Sequence, residues 1–102
     1  MGNLSLVHRV LDKFQKKFPE ELAEMIEALE SGDIERVAHI AHRVKGTSAS
    51  VSAKELAKAA AEIEDLGKTG RATDIPARMD RLGDEWNKYL YEVEALLADE
   101  VG

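Results

Sequence analysis

The sequence contains no cysteine, which excludes disulfide bonds and thiolate metal sites and is expected of a protein in the reducing cytoplasm. Cations are also outnumbered, since 14 Lys and Arg face 20 Asp and Glu and leave a formal net charge of −6. An acidic chain of this kind is not expected to bind nucleic acid through a basic face. No apolar run approaches the roughly 18 residues that a membrane span needs, so we expect no membrane contact.

The remaining composition is that of one globular domain. The chain has 102 residues, of which 44% are hydrophobic and 33% are charged. This is enough for a single hydrophobic core, and too apolar for a disordered chain. Alternating strand patterns, internal repeats and low-complexity segments are lacking, which points to a helical domain.

Apolar residues recur every three or four positions along most of the chain, which is typical of amphipathic helices. The pattern predicts helices over residues 4–17, 19–30, 33–51, 53–66 and 74–98. Pro19 separates the first two, because proline disfavours helical geometry in the residue before it. Gly67 is expected to end the fourth helix, and Ser52 with Glu55 has the sequence of a capping box at its start.

These segments predict an all-α fold, an antiparallel four-helix up-and-down bundle. The connections are short, which favours antiparallel neighbours, and the last segment carries a heptad seam suited to a left-handed bundle. The first segment, 4–17, is expected to be an additional short N-terminal helix that packs on one end of the bundle. Trp86 and Tyr89 lie on the heptad seam and are expected in the core.

His42 is the residue of chemical interest, because a helical wheel turns it towards solvent. At about 100° per residue, it lies about 120° from the middle of the core face of the third segment. Its own strip of the helix carries Ala38, Lys45, Gly46 and Ala49. A surface histidine is often only a solvated side chain, but one among small residues is open to close approach by another protein.

Lys45 and Gly46 give this strip its chemical character. Lys45 lies one turn after His42, within reach of the imidazole, and an ammonium group there can neutralise a phosphoryl group. Gly46 costs the helix roughly 0.5–1 kcal/mol relative to alanine, and backbone access beside His42 is a reason for it. Gly46 could instead end the helix, but the apolar period continues through Ser48 and Val51.

The motif around His42 reads Ala41-His42-x-Val44-Lys45-Gly46, followed by Val51-Ser52-Ala53-x-x-Leu56. It resembles the histidine-containing phosphotransfer (HPt) domain of bacterial multistep phosphorelays. The resemblance extends through Gly32-Asp33 upstream and through Ala60-Ala61-Glu62-Ile63-Glu64 downstream. Val44 stands where the family usually has leucine, and Ser52 where it usually has glycine. The capping box is expected to make Ser52 a workable substitute.

The resemblance implies a phosphoryl carrier rather than an enzyme. His42 is the implied phosphorylation site, through Nε2, and Lys45 would stabilise the phosphoryl oxygens. A receiver domain of a response regulator or hybrid histidine kinase would dock over Gly46, Ala38, Ala49 and His39. Mg²⁺ would be bound by that receiver only, and no metal or cofactor is expected in this domain. Without a Gly-rich nucleotide loop, the domain is not expected to phosphorylate itself from ATP.

Two other interpretations stay open at this point. A helical interaction module that binds a partner without carrying phosphate would have the same fold. His39 and His42 could also share a metal ion with Glu35, although more ligands would be needed. The domain could stand alone or belong to a hybrid kinase. A cytoplasmic monomer is the simpler expectation.

Overall fold

Four α-helices form most of the protein in a computed structural model that describes the backbone of residues 2–101 and the side chains of residues 6, 8–96 and 98. The elements are α1 (Gly2–Glu30), α2 (Ile34–Ser50), α3 (Lys54–Lys68), a single 3-10 turn (Ala72–Asp74) and α4 (Ile75–Val101). The described residues contain no β-strand. The predicted all-helical fold class is therefore confirmed.

Side chains from all four helices form one hydrophobic core. α2 packs against both α1 and α3, and α3 packs against α4. Connectors as short as 31–33 and 51–53 leave no room for a crossover, so successive helices run antiparallel. The largest fully buried apolar side chains are Met25, Ile40, Leu56, Ile63, Ile75 and Leu82.

An aromatic cluster joins α1 to α4. The Phe18 ring stacks on Trp86 with centroids 4.1 Å apart and planes 9° apart, and Phe14 meets Trp86 edge-on at 5.7 Å. Offset-stacked and edge-on aromatic pairs add stability beyond their buried area. Trp86 is buried and Tyr89 packs against the core, as the heptad seam predicts.

α1 is one continuous helix, which corrects the prediction of separate helices at 4–17 and 19–30. Pro19 lies inside it. A proline in a helix interior removes one backbone hydrogen bond and costs about 3 kcal/mol, which is why a break was expected. Burial of Phe18 before Pro19 and of Met25 after it anchors both halves of α1 in the same core. Residues 4–17 belong to the first helix of the bundle and do not form an additional short helix.

The turns after α1 and α2 share one hydrogen-bond geometry, the Schellman motif, and the turn after α3 has its longer bond, from the Arg71 amide to the Leu66 carbonyl at 3.0 Å. At the end of α2 the Ala53 amide donates to the Ser48 carbonyl at 2.9 Å, and the Ser52 amide donates to the Ala49 carbonyl at 3.0 Å. The corresponding residues with positive φ in the three turns are Gly32 (78°), Ser52 (61°) and Gly70 (73°). Ser52 therefore adopts a left-handed conformation that favours glycine.

The predicted capping box at Ser52 and Glu55 is wrong. α3 begins at Lys54, and its N-cap residue is Ala53, which makes no side-chain hydrogen bond to the helix. Ser52 ends α2 instead of starting α3, because the left-handed turn uses its backbone. Ser52 therefore takes the place of glycine at the cost of backbone strain, and no capping hydrogen bond offsets that cost.

The expectation that Gly67 ends α3 is wrong. Gly67 lies inside the helix, where α3 crosses α2. The helix continues to Lys68 and stops at the turn that contains Gly70. A Cβ atom on Gly67 would lie 3.0 Å from the Ala38 Cβ, closer than carbon atoms normally approach. Gly67 thus permits a close contact between α2 and α3.

We expect Ser52→Gly to stabilise the fold. A side chain in the left-handed region costs about 1–2 kcal/mol, while the extra freedom of glycine in the unfolded chain offsets roughly 0.5–1 kcal/mol of that. The free energy of unfolding, measured by urea denaturation, should therefore rise by about 0.5–1 kcal/mol. Ser50→Gly, the same change at a helical position, should lower it. A Ser52→Gly protein no more stable than the wild type would show that the turn carries no strain.

Candidate functional site

His42 lies in the middle of α2 with its side chain 64% exposed. Its Nδ1 atom is 2.8 Å from Oε2 of Glu64 on α3. The residue behind it, Ala41, is fully buried and fixes this turn of the helix in the core. The imidazole is therefore held at one edge by a neighbouring helix and open to solvent at the other.

Glu64 is the buried centre of the site, with only 5% of its surface exposed. Its Oε1 accepts a hydrogen bond from Lys45 Nζ at 2.8 Å, and its Oε2 is 2.9 Å from Lys68 Nζ. The bonds from Lys45 and then Lys68, together with that from His42, lower its pKa to about 2 against the opposing effect of burial. Glu64 is therefore a carboxylate at neutral pH.

The ionisation of Glu64 determines which nitrogen of His42 carries the proton. A carboxylate has no proton to donate and only accepts hydrogen bonds, so Nδ1 of His42 must be the donor in the 2.8 Å contact. In the neutral imidazole the other nitrogen, Nε2, then has a free lone pair. Nε2 has no hydrogen-bond partner among the described residues, and is thus available as a nucleophile.

Two ammonium groups share the carboxylate with the imidazole. The predicted Lys45 reaches His42 through Glu64 and not directly, and its side chain is 38% exposed. Lys68 approaches the same oxygen as His42 and is 66% exposed. The two ammonium groups and the one carboxylate of Glu64 leave a single positive charge in this cluster, while Glu35 in the groove beside it carries a negative charge. The two lysines are thus a local source of positive charge for an anion at His42, although the chain as a whole is acidic.

A shallow groove of about 480 Å³ runs between α2 and α3 beside the imidazole. Its lining includes Glu35, Ala38, His39, His42, Gly67 and Lys68. His39 is exposed at its rim. Ala38 corrects the sequence-based expectation of an exposed strip, because it is 8% exposed and lies against Gly67. It forms the floor of the groove and not part of an open surface.

Gly46 and Ala49 are exposed on the solvent side of α2. A Cβ atom added at Gly46 would meet nothing within 4 Å. No contact within the described part of the protein therefore requires glycine at this position. The glycine leaves open space one turn after His42.

Sequence reasoning missed Glu64 and Lys68. One sequence feature could have pointed to Glu64: it is an acidic residue directly after Ile63, on the side of α3 that carries the apolar residues. Charged residues are almost never buried without a partner, so its position could have been questioned. Lys68 follows Glu64 at the i+4 spacing that pairs opposite charges on a helix.

The described part of the protein offers no site for the metal ion of the alternative interpretation. Those residues contain no group of three or more His, Cys, Asp or Glu side chains placed to hold a metal ion. Over the same residues, no helix combines the length and the apolar character that crossing a membrane would require.

Glu64→Gln should remove a pH-dependent part of the stability. The pKa of Glu64 is lowered from 4.5 to about 2 in the folded protein, so its ionisation stabilises the fold above pH 4.5 and this contribution is lost as the pH falls towards 2. Water screens the exposed ammonium groups, so we expect about 1–2 kcal/mol and not the full value of the shift.

Urea denaturation at pH 7 and pH 3 measures this difference. The wild type should lose more stability than Glu64→Gln between the two pH values. Glu94→Gln, on the exposed surface of α4, is the control and should behave like the wild type. The same loss in the wild type and in Glu64→Gln would contradict the ionisation argued here.

Comparison with protein-family models matches residues 9–98 to the Hpt domain. Searches of curated proteins and of solved structures gave no match. Hpt domains are helical phosphocarriers of phosphorelay signalling, and they interact with the receiver domains of response regulators. Because the match covers most of a chain whose fold is a helical bundle, the protein belongs to the Hpt domain family.

Proposed function

We propose that this protein is a phosphorelay intermediate. It accepts a phosphoryl group on Nε2 of His42 from the phospho-aspartate of one receiver domain and passes it to another. The observation that carries the proposal is the hydrogen bond between His42 Nδ1 and the ionised Glu64. This bond leaves a nucleophilic lone pair on the exposed side of the ring.

The transfer needs no proton to leave His42. The Nε2 lone pair attacks phosphorus and forms an N–P bond, while the P–O bond of the aspartyl phosphate breaks and its electron pair leaves with the aspartate carboxylate. The imidazole gains a positive charge in this step and keeps its Nδ1 proton. Glu64 accepts the hydrogen bond from that proton and stabilises the charge. The second transfer runs the same step in reverse, towards the aspartate of the next receiver.

Lys45 and Lys68 supply positive charge for the phosphoryl oxygens. Both ammonium groups lie on Glu64, whose Oε2 also contacts His42. Lysine has a flexible stem and three donors, so each group can turn from the carboxylate to an anion on Nε2. We assign Lys45 to this role, as its place one turn after His42 suggests, and add Lys68 as a second cation. Mg²⁺ belongs to the receiver in this proposal, and the domain itself needs no cofactor.

The receiver docks over the solvent side of α2. Gly46 and Ala49 give a surface without protruding side chains, while His39 stands at the rim of the groove on the other side of His42. A partner can therefore bring an aspartyl phosphate close to Nε2. We place this exchange in the cytoplasm, with the domain as a monomer that docks one receiver at a time.

His42→Ala should abolish phosphate uptake and leave the bundle folded, because the His42 side chain is mostly exposed. The measurement is transfer of radiolabelled phosphate from a panel of phosphorylated receiver domains. His8→Ala removes an exposed histidine of α1, outside the proposed docking surface, and should retain uptake. Uptake that survives His42→Ala would eliminate the assignment. Binding of receivers without uptake by the wild type would favour a pure interaction module.

The chemistry of the product provides a check within the same experiment. A phosphoramidate on His42 should be labile in acid and stable in alkali. The opposite lability would identify an acyl phosphate on a carboxylate.

Gly46→Gln should weaken receiver docking while it strengthens the helix. The side chain points into open space, so it removes only the helical cost of glycine, roughly 0.5–1 kcal/mol. A side chain at this place should lower receiver affinity at least about tenfold if the partner approaches the backbone. Isothermal titration calorimetry measures the affinity, and Gly83→Gln on α4, where a Cβ also meets nothing, is the control. Unchanged affinity would show that the receiver docks elsewhere.

A further inference from the structure

Gly67 lies at the contact between α2 and α3, next to the pair formed by His42 and Glu64. Gly67 faces Ala38, and a Cβ built on Gly67 would be 3.0 Å from the Ala38 Cβ. Gly67 is one turn after Glu64 on α3, and Ala38 is one turn before His42 on α2. The contact between Gly67 and Ala38 therefore lies one helical turn from the hydrogen bond between His42 and Glu64, and both join α2 to α3.

A methyl group on Gly67 would be too close to one atom of α2, the Ala38 Cβ. Its distances to the Ile34 carbonyl oxygen, 3.5 Å, and to the Ala38 Cα, 3.6 Å, are ordinary van der Waals contacts. The Ala38 Cβ is bonded to the backbone and cannot rotate away, so α3 would have to move from α2 by a few tenths of an ångström to bring the two carbons towards normal contact at about 3.5–4.0 Å. Glu64 would move with α3.

The imidazole cannot follow this displacement as the lysines can. Lys45 and Lys68 have long flexible stems, whereas the ring of His42 is rigid and attached to α2 by a single carbon. A hydrogen bond of 2.8 Å weakens steeply as its distance and angle change. Widening the crossing would therefore loosen the bond from Nδ1 before the lysine bonds.

We propose that Gly67 is a positioning residue for His42. By lacking a side chain it keeps α3 close enough to α2 for Glu64 to hold the proton on Nδ1, and so keeps the lone pair of Nε2 towards solvent. The consequence for phosphoryl transfer rests on the proposed function, but the effect on the histidine tautomer does not. An interior glycine lowers the stability of the helix, and the functional reason for keeping it here is that it holds His42 in one tautomer.

The test compares Gly67→Ala with the wild type by ¹⁵N NMR of the histidine ring. The two ring nitrogens give separate shifts that report which one carries the proton. The wild type should show the Nδ1–H form at His42, and Gly67→Ala should show a mixture of the two tautomers. Gly83→Ala, at an open position of α4, makes the same chemical change with the same gain in helix propensity and should resemble the wild type.

Reactivity is measured with phosphoramidate, a small phosphoryl donor that needs no partner protein. Its N–P bond breaks with release of ammonia as the bond from His42 Nε2 to phosphorus forms. Gly67→Ala should slow this labelling about tenfold, the kind of loss that a misplaced supporting group causes. Ala38→Gly added to Gly67→Ala removes the opposing methyl group and should restore both the tautomer and the rate.

Each outcome decides the proposal. A wild-type tautomer and rate in Gly67→Ala would overturn it, and so would a defect that Ala38→Gly does not rescue. If Gly67→Ala fails to fold, Ala38→Ser adds an oxygen on the other side of the same contact, and the same two measurements apply. If the wild type holds the Nδ1–H form but is labelled by neither phosphoramidate nor any receiver, the proposed function fails while the positioning role stands.

Discussion

The Glu64 carboxylate is buried between α2 and α3 with two ammonium groups and one imidazole as its hydrogen-bond partners. A buried charge is costly unless it is paired, so Glu64 holds these groups around itself as strongly as they stabilise it. The same carboxylate thus has two effects. It fastens α3 to α2, and it dictates that His42 is protonated on Nδ1, which gives the exposed edge of the ring its nucleophilic character.

A second buried carboxylate secures α2 from the other side. Glu21 of α1 is 3% exposed and accepts a hydrogen bond from Arg43 Nε at 3.2 Å, while Glu24 accepts one from Arg43 Nη2 at the same distance. His42 and Arg43 are neighbours in sequence, and each is bound by an acidic residue from a different flanking helix. Rotation of α2 about its axis would break at least one of these contacts. A rigid reactive histidine therefore needs α1 as well as α3.

The sequence predicted what depends on local periodicity and on the histidine motif. The amphipathic pattern placed helices in the right parts of the chain, and the wheel placed His42 on the surface. It did not predict that Pro19 stays inside α1, because the core packing of Phe18 before it and of Met25 after it joins residues far apart in sequence. Glu64 was missed for the same reason: its partners His42 and Lys45 lie about twenty residues earlier, and only packing of α3 on α2 brings them together. The capping-box prediction failed at Ser52 because serine is a common N-cap residue, whereas the backbone conformation of Ser52 is set by the turn after α2.

The only tryptophan of the chain is Trp86, and it is buried in the aromatic cluster between α1 and α4. Its fluorescence is therefore an intrinsic optical reporter of the closure of the first helix on the last. The chromophore is on a different pair of helices from the imidazole. Its emission and the state of the histidine can thus be followed in one sample as separate signals.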